Sequence, residues 1–407
     1  MMRYDYTKLS EMMREYGDAF YLLDTAQFIK NFHELHDAFA RRYENFSIAY
    51  SYKTNYIPKL CKTVEKLGGY AEVVSDMEAE IALRVGVSPT HIIWNGPYKR
   101  LQKVEEFLLA GGTVHIDSVY EWDAIVAMAK RYPNKELRVG LRCNFDIGDE
   151  VISRFGFDTQ SETFEKVWNE LRLHENIHCV GLQCHFASRN LRTWKPRVEK
   201  MLQLIDRLQF VPDYIDLGGG LFGKMHPSLQ AQFDTAIPDY DAYADIVASA
   251  FAERFADTDK KPLLLIEPGS ALVGDCMKFV AKVVNIKNVR GKSIATLPGS
   301  IYNINPTLNK KNPPLEVFTE TKSKRDFYED LDFGGFTCIE SDYLYRHYSG
   351  QLAVGDIVVF GNVGSYSVVL KPPFILPNFP VLDICGNTTE VVKKGECFED
   401  VFRTYVF

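Results

Sequence analysis

The sequence predicts an α/β fold: a TIM-like (β/α)8 barrel plus a C-terminal β-domain, a β-barrel or sandwich that also takes in the first strand of the chain. Three observations carry this. From about residue 30 to residue 270, short β-rich apolar runs alternate with longer patterns of helical period. Seven or eight such units fit that length, as a barrel requires. After residue 272 the helical pattern becomes scarce, and strand-like stretches punctuated by Gly, Pro and Asn take over. The implied division is an N-terminal segment 1–28 that joins the β-domain, a barrel over 29–272 and a β-domain over 273–407. A doubly wound open sheet carries the same β-then-α alternation, and periodicity leaves the two architectures open.

The strands of the series are expected at residues 46–52, 70–74, 91–95, 114–116, 137–143, 180–186, 214–217 and 263–266. Helical spacing fills the intervals, as in 57–67, where Leu60, Val64 and Leu67 share a face, and in 79–85, 99–109, 124–129, 193–208 and 240–255. Before the series, Phe20-Tyr21-Leu22-Leu23 is strand-like. Beyond it, strands are expected in 277–289, 292–297, 355–361 and 365–370. No internal repeat and no flexible linker interrupts the chain.

Composition narrows the class of partner. Of the 407 residues 46% are hydrophobic and 25% charged, and the net charge is -7. That balance disfavours nucleic acid or an anionic membrane as the main partner, but not a small anion in a local pocket. No run of 18 apolar residues offers a membrane span, and the segment from Met1 to Ser10 lacks the apolar core of a signal peptide. Eight cysteines without CxxC pairs or metal-ligand spacing read as reduced thiols of a cytoplasmic protein.

In a barrel, function gathers on the loops after the C-terminal ends of the strands, so the polar residues that close the apolar runs matter most. Lys53 follows the first run directly, between aromatics that can desolvate its amine and make it nucleophilic toward an aldehyde. Asp216-Leu217-Gly218-Gly219-Gly220 closes another run, and three glycines let backbone amides approach a phosphate. Glu267-Pro268-Gly269-Ser270 closes the last, with a carboxylate able to pair with a protonated ring nitrogen. His185 could stack on a ring or shuttle a proton. Taken alone, Lys53 reads rather as a surface lysine, the glycines as an ordinary turn and His185 as structural, while Glu267 is as readily a structural carboxylate as a functional one. Their order along one series singles them out.

Ten short motifs in sequence resemble those of the pyridoxal-phosphate-dependent decarboxylases of the diaminopimelate and ornithine decarboxylase superfamily, which have an alanine-racemase-like barrel. They are Tyr50-Ser51-Tyr52-Lys53-Thr54-Asn55, Ser75 to Glu78, Ile116-Asp117-Ser118, Arg142-Cys143-Asn144 and Arg154-Phe155-Gly156. His185-Phe186-Ala187-Ser188, Gly218 to Gly220, Glu267-Pro268-Gly269, Cys338 to Asp342 and Gly364-Ser365-Tyr366 complete the set. The resemblance spans about residues 20 to 405. It implies pyridoxal 5'-phosphate as cofactor, an amino-acid substrate, and a homodimer with active sites at the interface. It also implies roles. Lys53 would form the Schiff base, and His185 would stack on the ring. Glu267 would pair with the pyridine nitrogen, while Gly218, Gly219, Gly220, Gly269, Ser188 and Tyr366 would hold the phosphate. Cys338 would come from the partner subunit as proton donor, with Asp342 beside it. A carboxylate at the ring nitrogen keeps it protonated and strengthens the electron sink, which favours decarboxylation over racemisation.

Three departures concern the far end of the substrate. Relatives that take diaminopimelate carry Arg after Glu-Pro-Gly, where this chain has Ser270. They carry Arg four positions before a β-domain tyrosine, where Pro298 precedes Tyr302. They carry an acid after the cysteine, where Ile339 stands, although Glu340 is adjacent. The expectation is an α-decarboxylase for a modified or conjugated amino acid rather than meso-diaminopimelate. Arg189, Arg192, Lys195, Asn303, Asn305 and Lys310 are candidate tail contacts. The alternatives are a racemase or aldolase-like enzyme on the same barrel, a diaminopimelate- or ornithine-type decarboxylase with an altered distal pocket, and a non-catalytic regulatory paralogue.

Overall fold

The computed structural model describes residues 4–320, 324–385 and 388–407. Met1 to Arg3, part of the N-terminal start read above, lie outside them. The chain divides into two compact units, one of residues 31–222 and 238–271, the other of residues 1–30, 223–237 and 272–407.

The strands run, in chain order, β1 Ala19–Leu23, β2 Phe46–Ser51, β3 Tyr70–Val73, β4 Ile92–Trp94, β5 Thr113–Ile116, β6 Leu137–Asn144, β7 Phe157–Asp158, β8 Ile177–Gln183, β9 Tyr214–Asp216 and β10 Leu263–Ile266. The parallel sheet has the order β5-β4-β3-β2-β10-β9-β8-β6, and β5 also pairs with β6, so the ring closes. Closure excludes the open doubly wound sheet. The short β7 attaches outside the ring, to β6.

Side chains fill the ring. Ala49, Ile93, Val180, Tyr214 and Leu265 form one buried cluster. Two glycines in the strands make room for rings: a Cβ on Gly140 would enter the His115 imidazole, and one on Gly181 would enter the Tyr214 phenol. Outside, the helices begin on polar caps that satisfy free N–H groups of the first turn. The side chains of Ser75, Ser161 and Asp239 accept from the N–H groups of Glu78, Phe164 and Ala242. No helix among the described residues is long and apolar enough to cross a membrane.

In the second unit, β11 Met277–Lys282, β12 Asn285–Val289, β13 Lys292–Thr296, β14 Leu315–Phe318, β15 Asp326–Gly334, β16 Tyr343–Leu352, β17 Ile357–Phe360, β18 Val381–Cys385 and β19 Thr388–Lys393 build two sheets. One has the order β14-β17-β11-β1-β18-β19, with β1 antiparallel to β11 and parallel to β18. The other has the order β12-β13-β15-β16.

Two expectations change here. The single run over 277–289 is two strands in different sheets. Between them the Val283 N–H donates to the Asp356 carbonyl and the Val284 N–H to the Thr296 carbonyl, so the chain is handed from one sheet to the other. Residues 365–370 are a turn rather than a strand: the N–H groups of Val369 and Leu370 both donate back to the Tyr366 carbonyl, and Tyr366 has φ 65°. The helix Tyr6–Tyr16 has no counterpart in the sequence reading. Its apolar signal is only Leu9, Met12 and Met13, which pack on Phe20, Leu22, Val280 and Leu382, each such side chain contributing about 2 kcal/mol on burial.

Candidate active site

Lys53 sits on the one-turn 3-10 segment Tyr52–Thr54, which begins where β2 ends, so its amine stands at the C-terminal rim of the ring. The amine donates to Glu72 Oε2 at 2.5 Å, and the Ser51 hydroxyl donates to the same oxygen at 2.5 Å. Glu72, in β3, is fully buried, whereas the Lys53 side chain keeps 29% exposure. The lysine is thus the reachable group of an otherwise enclosed cluster. Gly269 packs against Thr54: a Cβ there would stand 2.7 Å from the Thr54 Cβ.

Asn95, one residue past β4, links this pair to the far side of the ring. Its amide donates to Glu72 Oε1 at 3.1 Å and to Glu267 Oε1 at 2.6 Å. Gln183 Nε2 donates to the same Glu267 oxygen at 3.0 Å. Asn95 Oδ1 in turn meets His115 Nδ1, and His115 Nε2 lies 2.5 Å from the Tyr214 hydroxyl. Burial pulls the His115 pKa down to about 3, so the imidazole is neutral and transmits orientation rather than charge.

Glu267 and Asp216 form a buried carboxyl pair. Burial raises both, and the Glu267 charge adds to the rise at Asp216, which lies well above the usual carboxylate range. Against the same burial, the charge of Lys53 and the contact with Asp216 hold Glu267 below its ordinary value. The hydrogen bonds agree: Glu267 has two amide donors, while Asp216 has the Gly218 N–H at 2.9 Å and a buried Oδ2 with no hydrogen-bond partner. Asp216 therefore carries the proton and Glu267 the charge. His185 is neutral, since burial lowers its pKa. Its Nδ1 accepts the Gly219 N–H at 2.9 Å, nearer than Glu267 Oε2 at 3.4 Å, which leaves the proton on Nε2. The side chain remains 23% exposed, so the ring can be reached from outside.

The loop after β9 is a cradle of close backbone. Gly218 and Gly220 have φ of 70° and 90°, and a Cβ on Gly220 would lie 2.7 Å from the Ser188 carbonyl oxygen. Arg197, on helix Leu191–Leu208 and fully buried, donates to the carbonyls of Leu217, Gly219, Phe186 and Ser188. Holding four carbonyls from two loops draws them away from the cradle's mouth and places a fixed positive charge behind it. An aldehyde-reactive amine, a buried anion and a glycine cradle braced by arginine form a donor set that fits pyridoxal phosphate.

Several motif residues serve the frame. Glu121 accepts from Lys99 through both oxygens at 2.9 Å, and Asp117 accepts the Gly156 N–H at 3.0 Å beside Arg142. Glu78 caps its own helix by accepting the Val74 N–H, and burial pushes its pKa up to about 7. Of the tail candidates in this unit, Lys195 pairs with Glu199, Arg192 is exposed, and Arg189 stacks over the Phe222 ring.

The β-domain holds the remaining sequence-selected residues. Cys338 is exposed on the loop 335–342 between β15 and β16. Asp342 is 4% exposed and closes that loop: it accepts from the Ser300 hydroxyl, the Ile301 N–H, and the Thr337 N–H and hydroxyl. With four donors it is a clamp beneath Cys338. Asn303 is spent on a helix cap, accepting the Ser300 N–H, and Asn305 bonds to Asn309. Glu340 and Lys310 are exposed. Tyr302 and Ile339 come together on one cavity of about 370 Å³. Ser270 begins the short helix Ser270–Val273, and Tyr366 lies in the turn described above.

The chain is similar to known decarboxylases. The diaminopimelate decarboxylase of Archaeoglobus fulgidus is 23% identical, over 97% of this chain and 94% of its own length. The L-glutamyl-[BtrI acyl-carrier protein] decarboxylase of Niallia circulans is 24% identical over 99% and 97%. The crystal structure of the Methanocaldococcus jannaschii diaminopimelate decarboxylase with L-lysine superposes with a TM-score of 0.88 at 21% identity, covering 98% of this chain and 94% of that one. Residues 26–274 match the family model of the pyridoxal-dependent decarboxylase, pyridoxal binding domain, and the chain belongs to the pyridoxal-phosphate-dependent amino-acid decarboxylases.

Proposed function

We propose that the enzyme removes the α-carboxylate of a modified or conjugated amino acid rather than of meso-diaminopimelate, and that it works in the cytoplasm as a homodimer. The observation that carries the reading is the buried line from Lys53 through Glu72 and Asn95 to an anionic Glu267. Bound pyridoxal phosphate supplies the sink for the electron pair left when carbon dioxide departs. Lys53 would hold the cofactor through its amine, which donates to Glu72. Glu267 holds the pyridinium proton, with Asn95 and Gln183 fixing its carboxylate and Asp216 kept neutral beside it. His185 would cover one face of the cofactor ring. The Gly218–Gly220 cradle, whose Gly218 and Gly219 amides donate to Asp216 and His185, would receive the phosphate together with Ser188, Gly269 and Tyr366. Cys338, exposed above the Asp342 clamp, delivers a proton to the substrate carbon in the partner subunit's site.

Ser270, Pro298 and Ile339 stand where charged anchors for diaminopimelate are expected, which supports a different tail. The printed name of the Niallia circulans relative, a glutamyl group on an acyl-carrier protein, supports a conjugate. The test is carbon dioxide release from meso-diaminopimelate by purified holoenzyme. Turnover at about 1 per second or faster, an ordinary enzymatic rate, refutes the altered tail specificity.

A further inference from the structure

We propose that the β-domain cavity beside Cys338 receives the distal end of the substrate, and that this end is an apolar chain or ring bearing a terminal anion held by Lys371. The inference deepens the decarboxylase reading and rests on it. The cavity, about 370 Å³, has the size of a small-molecule site, at roughly 300–1,000 Å³. Its walls are mainly apolar: Phe336, Ile339, Leu370, Phe374, Leu376 and Phe379. Leu370, Phe374 and Leu376 leave 53%, 44% and 39% of their surface exposed, an apolar rim that a ligand would cover. The rim is stiff as well. Pro372, Pro373 and Pro377 restrict it, and Ile375 is held at φ 67°, where a β-branched residue is strained. A preformed rim spares a ligand the cost of ordering it.

Most polar groups of the wall are engaged among the described residues; the Tyr302 hydroxyl and the Lys371 amine are the exceptions. Ser300 and Thr337 donate to Asp342, Asn303 accepts the Ser300 N–H, and Asn378 donates to Glu396. The Lys371 amine has no hydrogen-bond or ion-pair partner among the described residues. It lies 5.1 Å from the Tyr21 ring centre and 5.3 Å from that of Phe379. Burial and the charge of Lys393 draw its pKa down to about 7, with Glu396 opposing. The Tyr21 hydroxyl beneath it donates to the Asn303 carbonyl and is held above its usual range by burial, so it supplies no counter-charge. A ligand carboxylate would supply one, raising the amine's pKa and drawing in a proton. The same amine beside Ile339 disfavours a distal ammonium such as that of lysine or ornithine.

Carbon dioxide release by the holoenzyme is measured with N6-glutaryl-L-lysine, N6-pentanoyl-L-lysine and L-lysine, which share a head and differ at the tip. The expected result is a preference of about tenfold or more in kcat/KM for the glutaryl compound over the pentanoyl one, abolished in Lys371→Met and kept in Lys371→Arg. Calorimetry with heptanoate and heptanamide reads the cavity without chemistry. The acid should bind, more tightly at about pH 6 than at about pH 8.5, and Lys371→Met should lose it. Carbon dioxide release without a Lys371-dependent preference, and no heptanoate binding, overturns the cavity assignment and leaves the decarboxylase. Silence with all three amino acids alongside Lys371-dependent heptanoate binding counts against the decarboxylase reading and sustains the cavity's chemistry.

Discussion

Asn95→Asp is the sharpest perturbation of the active-site line, because it changes charge and donor capacity with almost no change in shape. In the native protein the Asn95 amide donates to Glu72 at 3.1 Å and to Glu267 at 2.6 Å. Hydrogen bonds to charged groups contribute about 1.5–3 kcal/mol each, so losing both costs about 3–6 kcal/mol. An aspartate there would also place a third carboxyl against two buried ones, and it would take up a proton to survive. Its folded pKa is therefore raised above the unfolded value of about 3.9. A raised folded pKa contributes stability at low pH that is lost as pH rises through it. The deficit of the variant relative to wild type should thus be small near pH 5 and full near pH 8. For a unit of this size, about 2–4 °C per kcal/mol converts it to a midpoint lowered by about 6–24 °C at the higher pH. Thermal unfolding of the apoprotein at both pH values is the assay, with cofactor affinity by absorbance titration as a second readout. A deficit that is the same at both pH values, or below about 2 °C at both, refutes the coupling of the carboxylates through Asn95.

Three further outcomes follow from the geometry. Arg197→Met releases four loop carbonyls, and pyridoxal phosphate affinity measured by fluorescence titration should fall about a hundredfold or more, from charged hydrogen bonds of about 1.5–3 kcal/mol each. His115 has a folded pKa of about 3, below the unfolded value of about 6.5, so its contribution to stability is present above pH 6.5 and lost as pH falls toward 3. That contribution is on the order of 5 kcal/mol, and chemical denaturation should show His115→Asn less stable than wild type at about pH 8 but losing less stability between about pH 6.5 and 4. Asp342→Ala strips four donors of their acceptor, and rapid alkylation of Cys338 by iodoacetamide should then change rate while the far-ultraviolet circular dichroism spectrum stays close to wild type.

The cofactor end of the site was legible because its residues close apolar runs, where a barrel sequence changes abruptly in polarity. Lys53, His185, Gly218 to Gly220 and Glu267 all stand at such boundaries, and the structure gathers them in one unit. Glu72 and Asn95 went unread because they lie within or beside very short strands. A charged residue between Ala71 and Val73 resembles a solvent-facing strand position until ring closure turns it inward. That closure was the missing signal: in a closed barrel, polar residues inside a strand either face the interior or break its packing. Arg197 was hidden for a related reason, since on an amphipathic helix it reads as part of the wet face. The β-domain was harder still. Its strands pair across long sequence distances, and the β-branched Val368-Val369 gave a strand pattern to what is a turn. Asp342 drew attention as a neighbour of Cys338, but burial shows that its capacity is used inside the loop.

The central claim is that Lys53 carries the cofactor. Reducing the holoenzyme with borohydride fixes the phosphopyridoxyl group on whichever lysine holds it, and peptide mass mapping then locates it. The account predicts the label on Lys53, and its loss in Lys53→Ala. A label on Lys371, whose burial draws its amine toward the neutral form, or on any lysine besides Lys53, would contradict it.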